Sequence, residues 1–389
     1  MSPKTSRSLK TCLVIPLSAL GLLVLIILIL DLSNFGLPQR SKTTDHLSDL
    51  EKARLAEVIH LRESLGDDAW PGWSQADIPI IVYNEQYAFL VGYPNPPDGW
   101  MKVPAMEQRG GAWEVVPGDS FEGQPYYRTP ITDPQKTPEG FTVLVGDRWV
   151  ATFTTREYGE VSFYRDFRES LPPVLSDLVP VRLVWAVLMG KTESYIAALE
   201  HESFHSLEGM SSLDTFNASE KMYSVDEDYP YDMMEDPWKL EMRVLVQAAQ
   251  AETDTEARDL ARQFLEMRAA RRQGLTPEEI KLEHLREWEE GLAKYAELEI
   301  MRLAGTDKDY QPVEGMAQDK NFKSYANQQD FWTNQLEQAA SPLGLSGDTR
   351  FYYSGNAIAV LLDRLMPGWK SRAIPGGEYL DELLRGAVN

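Results

Sequence analysis

The stretch around which this sequence is organised is Ala197-Ala198-Leu199-Glu200-His201-Glu202-Ser203-Phe204-His205-Ser206, which contains the pattern H-E-x-x-H. His201 and His205 are four residues apart, so on a helix both imidazoles project from one face and can share a metal ion. Glu202 follows the first histidine, where its carboxylate can deprotonate a water molecule that the metal activates. The pattern therefore predicts a metal-dependent hydrolytic site on a helix.

The residues around this pattern have the composition of a helix. Residues 192–210 are rich in Ala, Leu, Glu and Met and lack the alternation of a strand. Thr192 can cap the helix at its start, and Gly209 lies near its end. The chain has only five histidines, so an H-E-x-x-H pattern by chance is infrequent. A helix with two satisfied or exposed histidines is the alternative.

The overall composition excludes several classes of protein. With 389 residues, 43% of them hydrophobic, the chain can bury a substantial core in one large or two modest domains. A net charge of −22 argues against nucleic-acid binding, because a phosphate backbone requires clustered Lys and Arg. The single cysteine, Cys12, excludes an intrachain disulfide and a cysteine-rich zinc site.

The N-terminal residues have the pattern of a membrane anchor. Residues 1–10 carry basic side chains and no acidic one, and residues 12–30 are almost wholly apolar. As a helix this apolar run spans about 28 Å, close to the thickness of the hydrocarbon core of a bilayer. We therefore expect a cytoplasmic N-terminus at 1–10, a transmembrane anchor at 11–31, and a single-pass membrane protein whose catalytic domain is extracytoplasmic. A cleaved signal peptide is the alternative.

Three further regions follow. Residues 32–69 contain a short linker and an amphipathic helix. Residues 70–165 form a β-rich region, with predicted strands at 78–83 and 87–92 and a hairpin over 141–155, separated by long loops rich in Pro and Gly. Residues 166–389 are predicted to form a helical metallopeptidase-like domain.

Within this last region the pattern predicts a long loop and several helices. Residues 211–235 are acidic and show no periodicity, which is typical of a loop. Asp236-Pro237 predicts the start of a helix with proline in its first turn. Thr276-Pro277-Glu278-Glu279 is a capping box that opens a long helix, and residues 351–365 form a further one.

Zinc bound by two histidines needs a third protein ligand and an open position. The metzincin extension H-E-x-x-H-x-x-G-x-x-H is absent, because Glu208 stands at its glycine position and Ser211 at its third histidine. The single cysteine lies in the predicted membrane segment, so the third ligand is expected to be a carboxylate or His284.

Glu290 is the preferred third ligand on chemical grounds. It lies within the predicted long helix among apolar neighbours, where an unpaired carboxylate would be costly and a metal would remove that cost. Glu289 and His284 are the alternative ligands. Glu297, two turns along, can orient a ligand by a hydrogen bond, although a surface position is an equal alternative.

Two segments resemble those of gluzincin metallopeptidases. Residues 288–297, W-E-E-G-L-A-K-Y-A-E, resemble the E-G-x-A-x-Y-x-E segment of that group, and the resemblance implies Glu290 as the third zinc ligand. Residues 352–355, Y-Y-S-G, are similar to a helix in which a tyrosine three residues before a glycine stabilises the transition state. This implies that role for Tyr352, with Tyr353 as the alternative. Because 84 residues separate His205 from Glu290, residues 236–273 are predicted to be an insertion.

Together these features predict an α+β fold: a mostly helical, zincin-like catalytic domain with a small β-sheet region, preceded by one transmembrane helix. The expected function is that of a zinc-dependent peptidase acting on a peptide or protein substrate. Zn²⁺ would be bound by His201, His205 and Glu290, with Glu202 as the general base and Tyr352 as the donor to the oxyanion. The alternative is a non-catalytic, membrane-anchored binding or assembly protein with a structural metal site.

Overall fold

The computed structural model describes residues 34–389, which divide into two compact units. One unit comprises residues 34–42 and 155–191, and the other comprises residues 43–154 and 192–389. The α-helices of the described residues are α1 (Asp49–Ala69), α2 (Arg156–Ser170), α3 (Pro173–Leu178), α4 (Val181–Leu188), α5 (Thr192–Ser211), α6 (Leu213–Glu220), α7 (Tyr223–Asp228), α8 (Tyr231–Gln250), α9 (Asp254–Arg272), α10 (Pro277–Thr306), α11 (Gln328–Gln338), α12 (Thr349–Leu365), α13 (Lys370–Ala373) and α14 (Leu380–Val388).

The first unit is a small helical body. Its described part contains α2, α3 and α4, and its buried core is formed by Leu37, Tyr164, Val181 and Trp185. The second unit contains the sheet, the remaining helices and the H-E-x-x-H residues.

The sheet of the second unit is curled and mixed, and eight strands of the described chain take part in it. The strands are β1 (Ile80–Tyr83), β2 (Tyr87–Val91), β3 (Trp100–Lys102), β4 (Glu107–Arg109), β5 (Glu114–Val115), β6 (Tyr127–Pro130), β7 (Phe141–Val145) and β8 (Arg148–Thr154). Their order is β4-β3-β7-β8-β1-β2-β6-β5, and β1 and β8 are parallel whereas the other neighbours are antiparallel. The predicted hairpin is confirmed, with β7 and β8 paired from Val145 and Arg148.

Helix α5 packs on the face of β7 and β8. Gly209 makes this approach possible, because a Cβ atom there would lie 2.6 Å from the ring of Trp149 on β8. The glycine that marks the end of α5 in the sequence therefore also lets the helix lie close to the sheet. The buried hydroxyls of Ser206 and Thr142, 2.7 Å apart, form a hydrogen bond across the same contact.

Helix α10 is the central element of the second unit. It begins with the predicted capping box, in which Thr276 and Glu279 each bond the backbone of the other. It contacts α5 and α12. Gly291 and Gly355 face each other where α10 and α12 cross, since a Cβ atom on Gly291 would lie 2.5 Å from the Gly355 Cα. This close crossing sets where Glu290 on α10 lies along the helix axis relative to Tyr352 on α12.

The structure corrects the predicted fold class in two respects. The β-sheet region is an eight-stranded, curled half-barrel rather than a small sheet. Strands β3 to β6 have four residues or fewer and lie in the segments rich in Pro and Gly, so they are too short to show alternation in the sequence.

The second correction concerns the transmembrane helix and the single-pass membrane localisation, which the structure does not support. Across residues 34–389 every helix is either too short or too polar to cross a membrane. The apolar helix Val181–Leu188, for example, has only eight residues, whereas a membrane span needs about 20. The predicted N-terminus at 1–10 and anchor at 11–31 lie outside the described residues.

The prediction of a long loop at 211–235 is also wrong. Two short helices, α6 and α7, occupy most of it, and both contact α10. With eight and six residues, they are too short for a helical period to be recognised. Helix α8 begins at Tyr231 rather than at the predicted Asp236-Pro237, so Pro237 lies inside the helix.

Candidate metal centre

Three side chains from two helices converge in the core of the second unit. On α5, the Nε2 atoms of His201 and His205 lie 3.1 Å apart, with the two rings nearly perpendicular. On α10, Glu290 Oε2 lies 3.2 Å from His201 Nε2 and 3.4 Å from His205 Nε2. His201 is 8% exposed, Glu290 4% and His205 1%. Two imidazole nitrogens and one carboxylate oxygen therefore face a common point away from bulk solvent.

This arrangement fits a zinc ion. Donor atoms at about 2.0–2.1 Å from a tetrahedral zinc are separated from one another by about 3.3 Å. The three observed separations, 3.1, 3.2 and 3.4 Å, agree with that value. Among the residues that the structure describes, this is the one group of three His, Cys, Asp or Glu side chains with donor atoms close enough to bind a metal. A set of two nitrogens and one oxygen leaves a fourth position open, as in catalytic zinc sites.

Each histidine has a carboxylate beside its other ring nitrogen. His205 Nδ1 donates a hydrogen bond of 2.7 Å to Glu208 Oε2, within the same helix. His201 Nδ1 lies 3.0 Å from Glu297 Oε2 of α10, but without the alignment of a hydrogen bond. The bond to Glu208 holds the proton on Nδ1 and leaves the His205 Nε2 lone pair facing the other two donors.

Glu290 is held by an arginine from the preceding turn of α10. Arg286 donates hydrogen bonds to Glu290 Oε1 at 3.1 Å and to Glu289 Oε2 at 2.9 Å, and its guanidinium lies over the ring of Tyr223. Although burial favours the protonated acid, the Arg286 charge holds the pKa of Glu290 well below its usual range. One carboxylate oxygen is thus bound by Arg286, and the other faces the histidines.

The carboxylate of Glu202 lies beside the histidines and is 9% exposed. Its Oε2 has no hydrogen-bond partner among the described residues. Burial raises the pKa of Glu202 to about 7, in the range that suits a general base at neutral pH. Gly140, just before β7, lies close to the Glu202 carboxylate. A Cβ atom at Gly140 would lie 3.9 Å from Glu202 Oε1 and 3.2 Å from the Phe153 ring.

Tyr352, rather than Tyr353, lies at this group of residues. The Tyr352 ring stacks parallel to the His201 ring at 5.7 Å, and its hydroxyl interacts with Glu290. Burial, together with the negative charge of Glu290, raises the pKa of Tyr352 well above its usual value, so the hydroxyl keeps its proton. Tyr353 faces the other side of α12, where it packs with Val246 and Ala339.

The alternative ligands lie elsewhere. Glu289 accepts hydrogen bonds from Ser219 Oγ and Arg286. His284 is turned toward Asp381, whose carboxylate lies 3.3 Å from His284 Nε2. The structure therefore brings Glu290, and not Glu289 or His284, to the two histidines.

Sequence reasoning missed Glu208 and Arg286. Both stand at helical spacing from a predicted ligand, Glu208 three residues after His205 and Arg286 four residues before Glu290. That spacing was the available signal. The spacing places both side chains on one face of the helix, but whether they are buried and bonded depends on the surrounding packing.

Comparison of the chain with protein-family profiles, curated proteins and solved structures gives no match. The resemblance to gluzincins thus rests on the sequence segments alone, and membership of that group stays a prediction.

Proposed function

We propose that this chain is a zinc-dependent hydrolase, and that it acts as a peptidase. The observation that carries the proposal is the convergence of three buried donor atoms at separations of 3.1–3.4 Å. Arg286 binds one oxygen of Glu290, and a divalent ion would bind the other oxygen together with the two imidazole nitrogens. The adjacent positions of Glu202 and Tyr352 support a catalytic rather than a structural metal.

The roles of the side chains follow from their positions. Zinc bound by His201, His205 and Glu290 would supply Lewis acidity and lower the pKa of a water molecule. Glu202 accepts the proton of the attacking water and delivers it to the leaving amine. The Tyr352 hydroxyl, which is protonated at neutral pH, donates a hydrogen bond to the carbonyl oxygen as negative charge develops on it.

Metal analysis of the purified chain tests the binding site. We expect one zinc per chain in the wild type and none in the His201→Ala variant. His46→Ala is the matched control, because His46 is exposed and its ring contacts Asp45. Absence of zinc from the wild type, or full zinc occupancy in His201→Ala, would contradict the proposal.

Glu202→Gln tests catalysis separately from binding. The variant should keep its zinc but lose at least about 100-fold in peptide hydrolysis, because a general base contributes about 10²–10⁴ to the rate. Glu200→Gln is the matched control. Glu200 also lies on α5, and burial raises its pKa to about 8, so at pH 7 it is mostly the uncharged carboxylic acid. Glutamine resembles that uncharged form. Equal peptide hydrolysis by wild type and Glu202→Gln would exclude Glu202 as the base.

A further inference from the structure

Glu208 is a buried carboxylate that the fold alone does not explain. Its side chain is fully buried, Oε2 accepts the hydrogen bond from His205, and Oε1 has no hydrogen-bond partner among residues 34–389. A buried carboxylate oxygen without a partner costs free energy. Glu200 and Glu202 on α5 also carry such an oxygen, so the feature that distinguishes Glu208 is its hydrogen bond with a proposed metal ligand.

The charges around Glu208 are mostly negative. Glu289 and Glu290, both on α10, contribute unfavourable charge interactions at Glu208, and His205 is the favourable partner. On α6, Glu220 faces Glu289, and Arg286 is the cation of this group. Four acidic side chains therefore share Arg286 and His205 as their favourable partners, and a bound divalent cation would favour the ionised forms of these acids.

Glu297, the carboxylate beside the other histidine, differs in two ways. It forms an ion pair with Lys294, so its charge is already compensated, and its contact with His201 lacks hydrogen-bond alignment. Glu208 has no lysine or arginine partner among the described ion pairs and is aligned with His205. Of the two carboxylates, Glu208 is thus the one committed to its histidine.

We propose that Glu208 is the positioning residue for His205. By accepting the hydrogen bond from Nδ1–H, it fixes the tautomer with a free Nε2 lone pair, orients the ring and increases the donor strength of the imidazole toward a metal. This inference rests on the proposed zinc site and assigns Glu208 a role through His205, without contact to substrate.

The test compares Glu208→Gln, Glu208→Ala and the wild type for zinc affinity, measured by competition with a chromophoric chelator. Loss of a carboxylate behind a metal-binding histidine weakens metal binding about 10–100-fold. We expect about 10-fold for Glu208→Gln, which keeps an acceptor oxygen, and about 100-fold for Glu208→Ala. Glu200, a buried acid of the same helix, forms no hydrogen bond with the donors, so Glu200→Gln should bind zinc as the wild type does.

A second measurement separates positioning from a structural role. The thermal unfolding midpoint of the zinc-free Glu208→Gln protein should equal or exceed that of the zinc-free wild type, because glutamine replaces a buried acid that has one oxygen without a partner and keeps an oxygen that can accept from His205. A lower midpoint with unchanged zinc affinity would overturn the inference in favour of a structural role. If wild type and Glu208→Gln bind zinc equally, the inference fails and the zinc site stands. If the wild type binds no zinc, the proposed function itself fails.

Discussion

Helix α10 presents two groups of buried charges, and they differ in how those charges are balanced. Near the start of α10, Glu283 and Glu287 form close ion pairs with Arg271 and Arg268 of α9. Arg268 binds both oxygens of Glu287 at 2.8 Å and also donates to Glu241. We call these five residues the arginine network. Its acids are each paired with an arginine, so the network is complete without a ligand.

Further along α10, its middle part carries Glu290 and Glu297, which lie beside His201 and His205. We call this group, with Glu208, the donor cluster. It includes a buried oxygen on Glu208 that has no hydrogen-bond partner among the described residues. Both groups are buried from solvent at similar depth. The comparison teaches that burial of acids alone does not indicate a metal site. What distinguishes the donor cluster is the convergence of two imidazole nitrogens and one carboxylate oxygen at 3.1–3.4 Å from one another.

The first test of this comparison concerns the contribution of the arginine network to stability. Arg268→Ala leaves Glu241 and Glu287 buried without that partner, and removal of one member of a buried pair costs about 3–5 kcal/mol. We expect a loss of that size in the free energy of unfolding, measured with urea. Arg243→Ala, an exposed arginine on α8, should change it by less than about 0.5 kcal/mol. If Arg268→Ala lowers the free energy of unfolding by less than about 1 kcal/mol, the arginine network does not stabilise the fold.

Acid should weaken the arginine network in a defined pH range. Burial alone raises the pKa of Glu283, but Arg271 outweighs it and brings the pKa to about 2. Because the unfolded-state pKa is near 4.5, the carboxylate stabilises the fold above that pH, and this stabilisation is lost as the pH falls toward 2. The expected loss is on the order of 3 kcal/mol.

Urea unfolding of the wild type and Glu283→Gln between pH 6 and 2.5 measures this effect. The wild type should lose stability more steeply than the variant over that range. Parallel curves for the two proteins would mean that the ionised form of Glu283 does not stabilise the fold.

The donor cluster should respond to a charge change chiefly through metal affinity. Arg286→Gln removes the cation bound to Glu290 Oε1, so Glu290 is less firmly oriented and its ionised form is less favoured. We expect zinc affinity to fall about 10-fold, or about 1.4 kcal/mol. Arg302→Gln, which removes an arginine paired with Glu299 on the same helix, is the control and should leave zinc affinity unchanged. Equal zinc affinities in the wild type and Arg286→Gln would show that Arg286 does not contribute to metal binding.

Local sequence signals predicted the elements that carry the donor cluster. Four-residue spacing placed His201 and His205 on one helical face, and the capping box at Thr276 placed the start of α10. The choice of Tyr352 over Tyr353 and of Glu290 over Glu289 depends on how α10 and α12 cross. That crossing rests on the contact between two glycines distant in sequence, which no local pattern encodes.

The elements that the sequence does not predict are short strands and helices that depend on contacts with distant parts of the chain. Strands β3 to β6 are held by their neighbours in the sheet rather than by their own pattern. The sequence predicts a loop where helices α6 and α7 form, because each helix is shorter than three turns and is stabilised by contacts with α10. The contact between Glu208 and His205 is not predicted, because the sequence displays neither the hydrogen bond nor the burial of Glu208.

The central claim is that two imidazoles and one carboxylate bind a single zinc ion. Anomalous diffraction at the zinc absorption edge, from crystals of the chain grown with zinc, tests it most directly. The account predicts one strong peak about 2.0–2.1 Å from His201 Nε2, His205 Nε2 and Glu290 Oε2, with a fourth, non-protein ligand. No peak at this position, or a peak only at surface residues, would contradict the account.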